Sequence, residues 1–512
     1  MEFHRPNLHF TPPSMWMNDP NGMVYYEGEY HLFYQHYPKE TVWGPMHWGH
    51  AVSKDMVHWE HLPIAIFPDS LGLIFSGSAV VDWNNTSKLG QNGKPPLVAI
   101  FTQHSMEKEK AGHSNFQYQS LAYSNDNGRS WKMYAGNPII PNTQKIRDFR
   151  DPKVSWDEDS KQWIMVFAAH DHIKIWGSPD LIHWSHLSDF GSQFGAHTGV
   201  WECPDLFPIY LESETTKSEV QSASNNQAPI KKWVLLQSLN PGGPNGGSAT
   251  QYFVGNFDGI NFKLDPAFEN TVQNGKAQWL DWGKDNYAGV TWSDVPKKDG
   301  RRLFIGWMSN WEYATKVPTG NWRSAMTLPR SLHLKQTAAG LRLSSEPVQE
   351  LEGLRKEKIE LEPKTWKGDL ELGKSLGAHA AGLELVLDLQ LSNQVDAAFS
   401  IVLSNDLGEN YQIGYRTAKN EFFSDRSKSG KNDFSDQFGT QTHVAQRRIN
   451  SQHLQLHVFL DVASCELFAD GGEIAMTEIY FPSANFNHIK LVSANGQTKL
   501  VAGTAYVLKA AR

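Results

Sequence analysis

Two kinds of hydrophobic pattern run along the chain, and they meet near residue 340. Before that point short apolar runs alternate with turn residues, and one unit recurs: an apolar strand, a Ser or its equivalent, an Asp, a turn and an aromatic. It reads AVSKDMVHW at 51–59, LAYSNDNGRSW at 121–131, IWGSPDLIHW at 175–184 and FVGNFDGINF at 253–262. Turn residues between two apolar runs predict a hairpin whose aromatic opens the next strand. A strand unit that returns every several tens of residues predicts a β-propeller, whose rings hold about four to eight blades. A second series is offset from the first: WMNDPNG (16–22), FSGSAVV (75–81), DFRDPKV (148–154), WECPDLF (201–207) and KDNYAGV (284–290). Each precedes one blade's worth of strands, so five ring positions are expected.

After residue 340 the texture changes. EPVQELEGLRKEKIEL (346–361) is charged and reads as a linker or short helix. Beyond it the alternation is clean, with Leu383, Leu385, Leu387, Leu389 and Leu391 on one face, then Leu454, Leu456, Val458 and Leu460. Period-two runs bounded by Gly, Asn and Ser predict half-buried sheets of a β-sandwich. The expected architecture is all-β: a five-bladed propeller over 1–340, a linker over 341–361 and a sandwich over 362–512.

Composition narrows the function. The formal net charge of −8 and the absence of a basic stripe argue against a nucleic-acid partner. No run of 18 apolar residues predicts membrane insertion. The N-terminal MEFHRPNLHF has no apolar signal core; export with the signal absent from this chain is expected, with a cytoplasmic location as the alternative. The two cysteines, Cys203 and Cys465, allow one disulfide and exclude a disulfide framework. Cys465 reads as a small buried hydrophobe. The 21 histidines form no ligand set, and neither a metal nor a cofactor is implied. Nineteen Trp is an excess that suits either blade cores or the stacking of sugar rings.

Three ring positions place an acid near a Pro: Asp19, Asp151 and Glu202. A lone Asp-Pro pair is ordinary turn chemistry, but acids at matching places in separate blades would converge on one end of the central channel. Glycoside hydrolysis needs two carboxyl groups, one protonated and one ionised. Asp19 suits a nucleophile, with Asn18 and turn amides expected to keep it ionised. Glu202, between Trp201 and Cys203, is expected to have apolar company and a raised pKa, as a proton donor needs. Asp151 follows Arg150, whose guanidinium is expected to hold it charged.

WMNDPNG, FSGS, FRDP and WECPDLF, in this order and at these separations, resemble glycoside hydrolase family 32, the invertases, inulinases and levanases. GGSATQYFVGNFDG (246–259) and VPTGNWRSAMTLPR (317–330) look like later propeller segments of its fructan exohydrolases, and 424–438 and 456–472 look like its sandwich. The resemblance implies an exo-acting β-fructosidase that releases terminal fructose from levan, inulin or sucrose with net retention. Asp19 would be the nucleophile, Glu202 the acid/base and Asp151 the stabiliser bonding fructose hydroxyls. Arg150, Asn18, Gln35, Trp43, Phe75, Ser76 and Trp311 would line the fructosyl pocket, and Asp285 and Tyr287 its edge. Trp43 and Trp311 also suit the blade core, and Gln35, within an aromatic strand, also suits the satisfying of backbone groups. DWGKDNYAG departs from the family pattern at Trp282 and Asn286, which predicts a changed pocket edge. The same acids would serve an endo-fructanase or a fructosyltransferase; a propeller that binds fructan without cleaving it is the distant alternative. The outer face of the sandwich is a candidate homodimer surface.

Overall fold

Five four-stranded antiparallel sheets follow one another up to Pro347 in the computed structural model, which describes residues 2–212 and 229–511. Their first strands are Met15–Tyr26, Leu73–Val81, Phe149–Asp157, Val200–Glu212 and Tyr287–Thr291. Each of these contacts the first strand of the next blade, and the fifth returns to the first, so the ring closes around a channel. They begin at or within a few residues of the five expected positions. A parallel bridge from Val24 to Ser293 seals the closure.

The repeated Asp is the pivot of the hairpin between the third and fourth strands of four blades. Asp55 Oδ1 accepts from the amides of Val57 (2.9 Å) and His58 (2.8 Å), and Asp180 Oδ1 does the same for Ile182 (3.0 Å) and His183 (2.8 Å). The following Trp closes the turn in three of them: Trp59, Trp131 and Trp184 each donate Nε1–H to a carbonyl three residues back. A side chain that bonds the backbone two residues on fixes the turn locally, before any tertiary contact forms.

The C-terminal unit is a sandwich threaded by one long strand, His488–Leu508, which pairs with strands of both layers. The alternating leucines behave as their pattern requires. Leu383, Leu385, Leu387 and Leu389 lie directly opposite Leu460, Val458, Leu456 and Leu454, and all are buried. Both cysteines are free and buried.

The segment expected as a linker or short helix over 341–361 is mostly strand. Gly340–Pro347 pairs with Arg330–Thr337 as the last strand of the fifth blade, one 3-10 turn spans Gln349–Leu354, and Arg355–Glu360 already pairs with the sandwich. The charges of this segment mask a strand pattern: Leu341 and Leu343 turn into the propeller core, while Arg342 between them is itself buried and donates from Nη1 to the Leu341 carbonyl (2.6 Å).

The two domains share a buried joint. Phe459, Phe468 and Ala475 of the sandwich pack into the same core as Trp16 and Trp307 of the propeller. Within it Arg330, fully buried, donates to Asp281 (2.8 Å), Glu466 (2.6 Å) and Thr477 (2.6 Å). His9 lies between Asp461 (2.7 Å) and Glu466 (2.9 Å). Burial alone would lower the His9 imidazole, but the two carboxylates raise it to about 9.

Arg330→Met leaves Asp281 without its cation and Glu466 with His9 alone, and should cost about 3–5 kcal/mol, read by urea unfolding of the full chain. The raised His9 contributes stability that is complete below its ordinary value of 6.5 and is lost as pH climbs through about 9. Melting curves across that window should therefore fall for the parent and flatten for His9→Gln; parallel curves would show that His9 is not the titrating group.

Candidate active site

In all five first strands the pairing to the second strand slips near the start. The slips fall between Met17 and Pro20, Ile74 and Gly77, Arg150 and Lys153, Glu202 and Asp205, and Tyr287 and Val290. A bulge takes residues out of the ladder and re-aims their side chains. Pro152 and Pro204 sit inside two of these bulges, where no ladder N–H is required, and Pro20 ends the first, which leaves Asn18 and Asp19 unpaired. At Gly77 an added Cβ would lie 2.2 Å from the Ile100 carbonyl, so only glycine lets the two strands approach there. Asp151, Cys203 and Ala288 hold left-handed φ values of 67°, 46° and 53°, which cost about 1–3 kcal/mol each in a non-glycine residue.

The bulges bring the three acids together. Asp19 accepts from Ser76 Oγ (2.7 Å) and Asn18 Nδ2 (3.0 Å), and Asn18 is itself fixed by Trp16 Nε1 (2.7 Å). The Cys203 thiol lies 3.5 Å from Asp19 Oδ2 and 3.6 Å from Asp151 Oδ2 and donates toward both. The Cys203 amide donates to Asp151 Oδ2 at 3.1 Å. Glu202 accepts from Arg150 at 2.8 and 3.2 Å and from the Tyr287 hydroxyl. Arg150 also donates to Asp148 (2.6 Å), while its nearest approach to Asp151 is 3.8 Å.

Three electrostatic expectations change. Among the described residues no turn amide donates to the Asp19 carboxylate; burial, then the Glu202 charge, raises its pKa despite the Ser76 and Asn18 bonds. Arg150 spends its hydrogen bonds on Glu202 and Asp148, so burial pushes Asp151 up to about 7, with Glu202 and Asp19 adding to the rise. Glu202 keeps polar company instead of apolar company, because Trp201 turns into the blade core, where its Nε1 donates to the Ala196 carbonyl (2.9 Å).

Outward from the acids an open cleft of about 410 Å³ is walled by Trp43, Phe75, His104, Glu109, Arg150 and Glu202. Trp43 stands edge-on to Phe75 with ring centroids 6.0 Å apart. Gln35 sits between Tyr34 and His36, opposite the Asp19 bulge, and its buried Nε2 has no partner among the described residues. Trp311 stacks on Trp16 at 5.8 Å, behind Asn18.

The model described as Glycosyl hydrolases family 32 N-terminal domain matches residues 9–347, and that described as Glycosyl hydrolases family 32 C terminal matches 350–507. The chain belongs to glycosyl hydrolases family 32. A levanase of Bacillus subtilis is 45% identical over 99% of this chain and 71% of its own length. An extracellular exo-inulinase of Aspergillus niger is 39% identical over 97% of this chain and 93% of its own. The crystal structure of an exo-inulinase from Aspergillus awamori superposes with a TM-score of 0.87 at 34% identity, covering 100% of both chains.

Asp285 is not at the pocket edge. It is fully buried in the domain joint, accepting from Arg426 (2.6 Å), Tyr313 and the Ile479 amide (3.0 Å). The departures at Trp282 and Asn286 also lie there: Trp282 packs against the sandwich core, and Asn286 donates to Asp281 at 3.1 Å. Asp285 lies before the strand, which begins only at Tyr287, so strand alternation does not tie the two together: Asp285 is held by the sandwich, while the Tyr287 hydroxyl reaches Glu202. Sequence reasoning missed Cys203 as a group between two acids, along with Asp148 and Thr102, whose Oγ1 accepts from the Asp151 amide at 3.0 Å. The left-handed turn at Cys203 carries no sequence signal, because no glycine marks it.

A carboxyl raised on folding contributes stability that is complete below its ordinary pKa of 3.8 and is lost as pH rises through its folded value, here about 7 for Asp151. Asp151→Asn should therefore melt higher than the parent at pH 8, by about 2 °C or more, with the gap closing toward pH 4. A gap that is constant with pH would remove the titration from the account. Ser76→Ala removes a bond that favours ionised Asp19, so the acidic limb of kcat/KM should move to higher pH, with activity lost mostly on the acid side.

Proposed function

We propose that this protein is a retaining exo-β-fructosidase that removes terminal fructose from levan, inulin and sucrose. The observation that carries the reading is the meeting of Asp19, Asp151 and Glu202 at one mouth of the propeller channel, with Glu202 clasped by Arg150 and Tyr287. The levanase and exo-inulinase names of relatives that align over nearly the whole chain support the fructan substrate.

In this mechanism an Asp19 oxygen attacks the anomeric carbon of the terminal fructosyl unit as the bond to the leaving oxygen breaks. Glu202 gives its proton to that oxygen, and the leaving sugar departs through the open cleft. Glu202 then takes a proton from water, which attacks the same carbon and frees Asp19. Ser76 and Asn18 hold the nucleophile in line, a positioning that costs nothing at the moment of reaction. Asp151, held on a strained bulge, presents its carboxylate to the fructose hydroxyls, and buried Gln35 Nε2 offers them an unspent donor. Trp43 and Phe75 give the cleft apolar faces against which the leaving sugar stacks. The extracellular naming of the Aspergillus relatives supports an exported enzyme that meets its polymer outside the cell.

Asp19→Asn should lower kcat by about 10⁴-fold or more with the melting temperature retained. Product time courses on levan, inulin and sucrose should show fructose alone from the earliest points; an early ladder of oligosaccharides would move the reading to endo-cleavage. In aqueous methanol the trapped product should be the methyl β-fructofuranoside, and the α-anomer would overturn retention.

A further inference from the structure

The strands that begin at the acid cleft finish in a second and larger cavity, about 610 Å³, at the other end of the channel. Val80, Ser155, Phe207 and Thr291 line it, each later in a strand that carries Phe75, Asp151, Glu202 or Tyr287 near its start. We propose that this opposite mouth is a second carbohydrate site, one that holds a fructosyl segment of the polymer without cleaving it. The choice of fructan as occupant rests on the hydrolase reading above; the site itself rests on the following geometry.

Among the described residues two tryptophans are exposed out of the nineteen in the sequence. Trp43, 38% exposed, walls the acid cleft, and Trp83, 58% exposed, stands at the rim of the second cavity. Trp83 is not a loose side chain. Its Nε1 donates to Asp294 Oδ1 (2.8 Å) and its ring lies 5.8 Å from Tyr26, which fixes the indole while leaving most of it in solvent. A rigid exposed aromatic face is what the C–H face of a sugar ring stacks on, at little entropic cost.

The cavity interior supplies the polar half of such a site. Arg302 makes one side-chain hydrogen bond among the described residues, from Nη2 to the Pro208 carbonyl (3.1 Å), and its ring-stacked guanidinium keeps further N–H groups for a ligand. Asp205 Oδ1 is buried without a partner. A buried polar atom left unpaired is costly unless a ligand or solvent meets it. The charges that line the cavity largely pair off, Lys153 with Asp205 (3.5 Å) and Lys297 with Glu158 (3.0 Å). That balance favours a neutral, hydroxyl-rich ligand over an ion.

The same bonds explain why this end would not cleave. Asp205 Oδ2 is held by the Thr291 amide (2.6 Å) and hydroxyl (2.8 Å), and Asp294 by the Val81 amide (2.9 Å) and Trp83. Among the described residues that line the cavity the remaining carboxyl, Glu158, is paired with Lys297, so none stands free to complete the acid–nucleophile pair that hydrolysis needs.

The test uses the full chain in two formats. In native gels containing levan or inulin, Asp19→Asn protein saturated with sucrose to fill the acid cleft should still be retarded. Adding Trp83→Ala or, separately, Arg302→Gln should abolish that retardation. In the active enzyme the same two changes should raise KM on polymeric fructan about three- to tenfold and leave kcat and KM on sucrose at the parent values, which also shows that the variants fold. Unchanged retardation and unchanged polymer KM in both variants would overturn the second site. If the parent cleaves no fructan but retardation sensitive to Trp83→Ala persists, the second site stands and the hydrolase reading falls.

Discussion

The crowding of Asp151, Glu202 and Asp148 around one guanidinium, Arg150, with Asp19 joined to them through the Cys203 thiol, is the constraint on which the site depends. Carboxylates this deeply placed repel one another and lose hydration, so without a rigid frame they would part or drag in water. Arg150 does not neutralise them evenly. It lies 2.8 Å from Glu202 and 2.6 Å from Asp148, but 3.8 Å from Asp151. The acids are therefore sorted by environment: one clasped by a cation and a phenol, one bonded by a hydroxyl and an amide, one raised to about 7 by burial. Groups of one chemical type are given different work in this way.

A site built on repulsion must be held by something that does not yield, and here the closed ring does it. The acids ride on bulges in strands whose neighbours lie on both sides around the channel, so no acid can relax without moving a blade. Left-handed φ at Asp151 and Cys203 places part of that strain in the backbone itself. Strain at such positions persists only where surrounding structure over-determines it, and the hairpins pinned by Asp55 and Asp180 are part of that surrounding structure.

Much of this was legible in the chain. The repeated Asp named the hairpins, the five offset segments located the first strands, and alternation gave the sandwich core, because each is a local pattern with a local cause. The convergence of Asp19, Asp151 and Glu202 was readable for a related reason: one side chain at one place in each blade needs only ring symmetry to meet the others. What was not readable depended on direction. Arg150 adjoins Asp151 in sequence yet bonds Glu202, and Glu202 adjoins Trp201 yet shares none of its apolar surroundings, since a bulge decides which way each side chain points. The charged run after residue 346 hid a strand because its partners lie in another domain, and Asp285 looked like a pocket residue because only the sandwich reveals what it faces.

That last error shows what the sandwich contributes. Asp285 is tied to Arg426 and to the Ile479 amide across the joint, and Asp281 to Arg330 and Thr477. Two residues beyond Asp285 the chain reaches Tyr287, whose hydroxyl bonds Glu202. The fifth blade's first strand is the shortest of the five and is anchored at this end by the other domain. A buried ion pair is a poor source of net stability but a strict one of position, because a shifted partner leaves an unpaired charge in a dry place. The sandwich thus bears on the candidate acid through two residues of backbone, which makes it a structural part of the site although, among the described residues, none of its side chains lines the cleft.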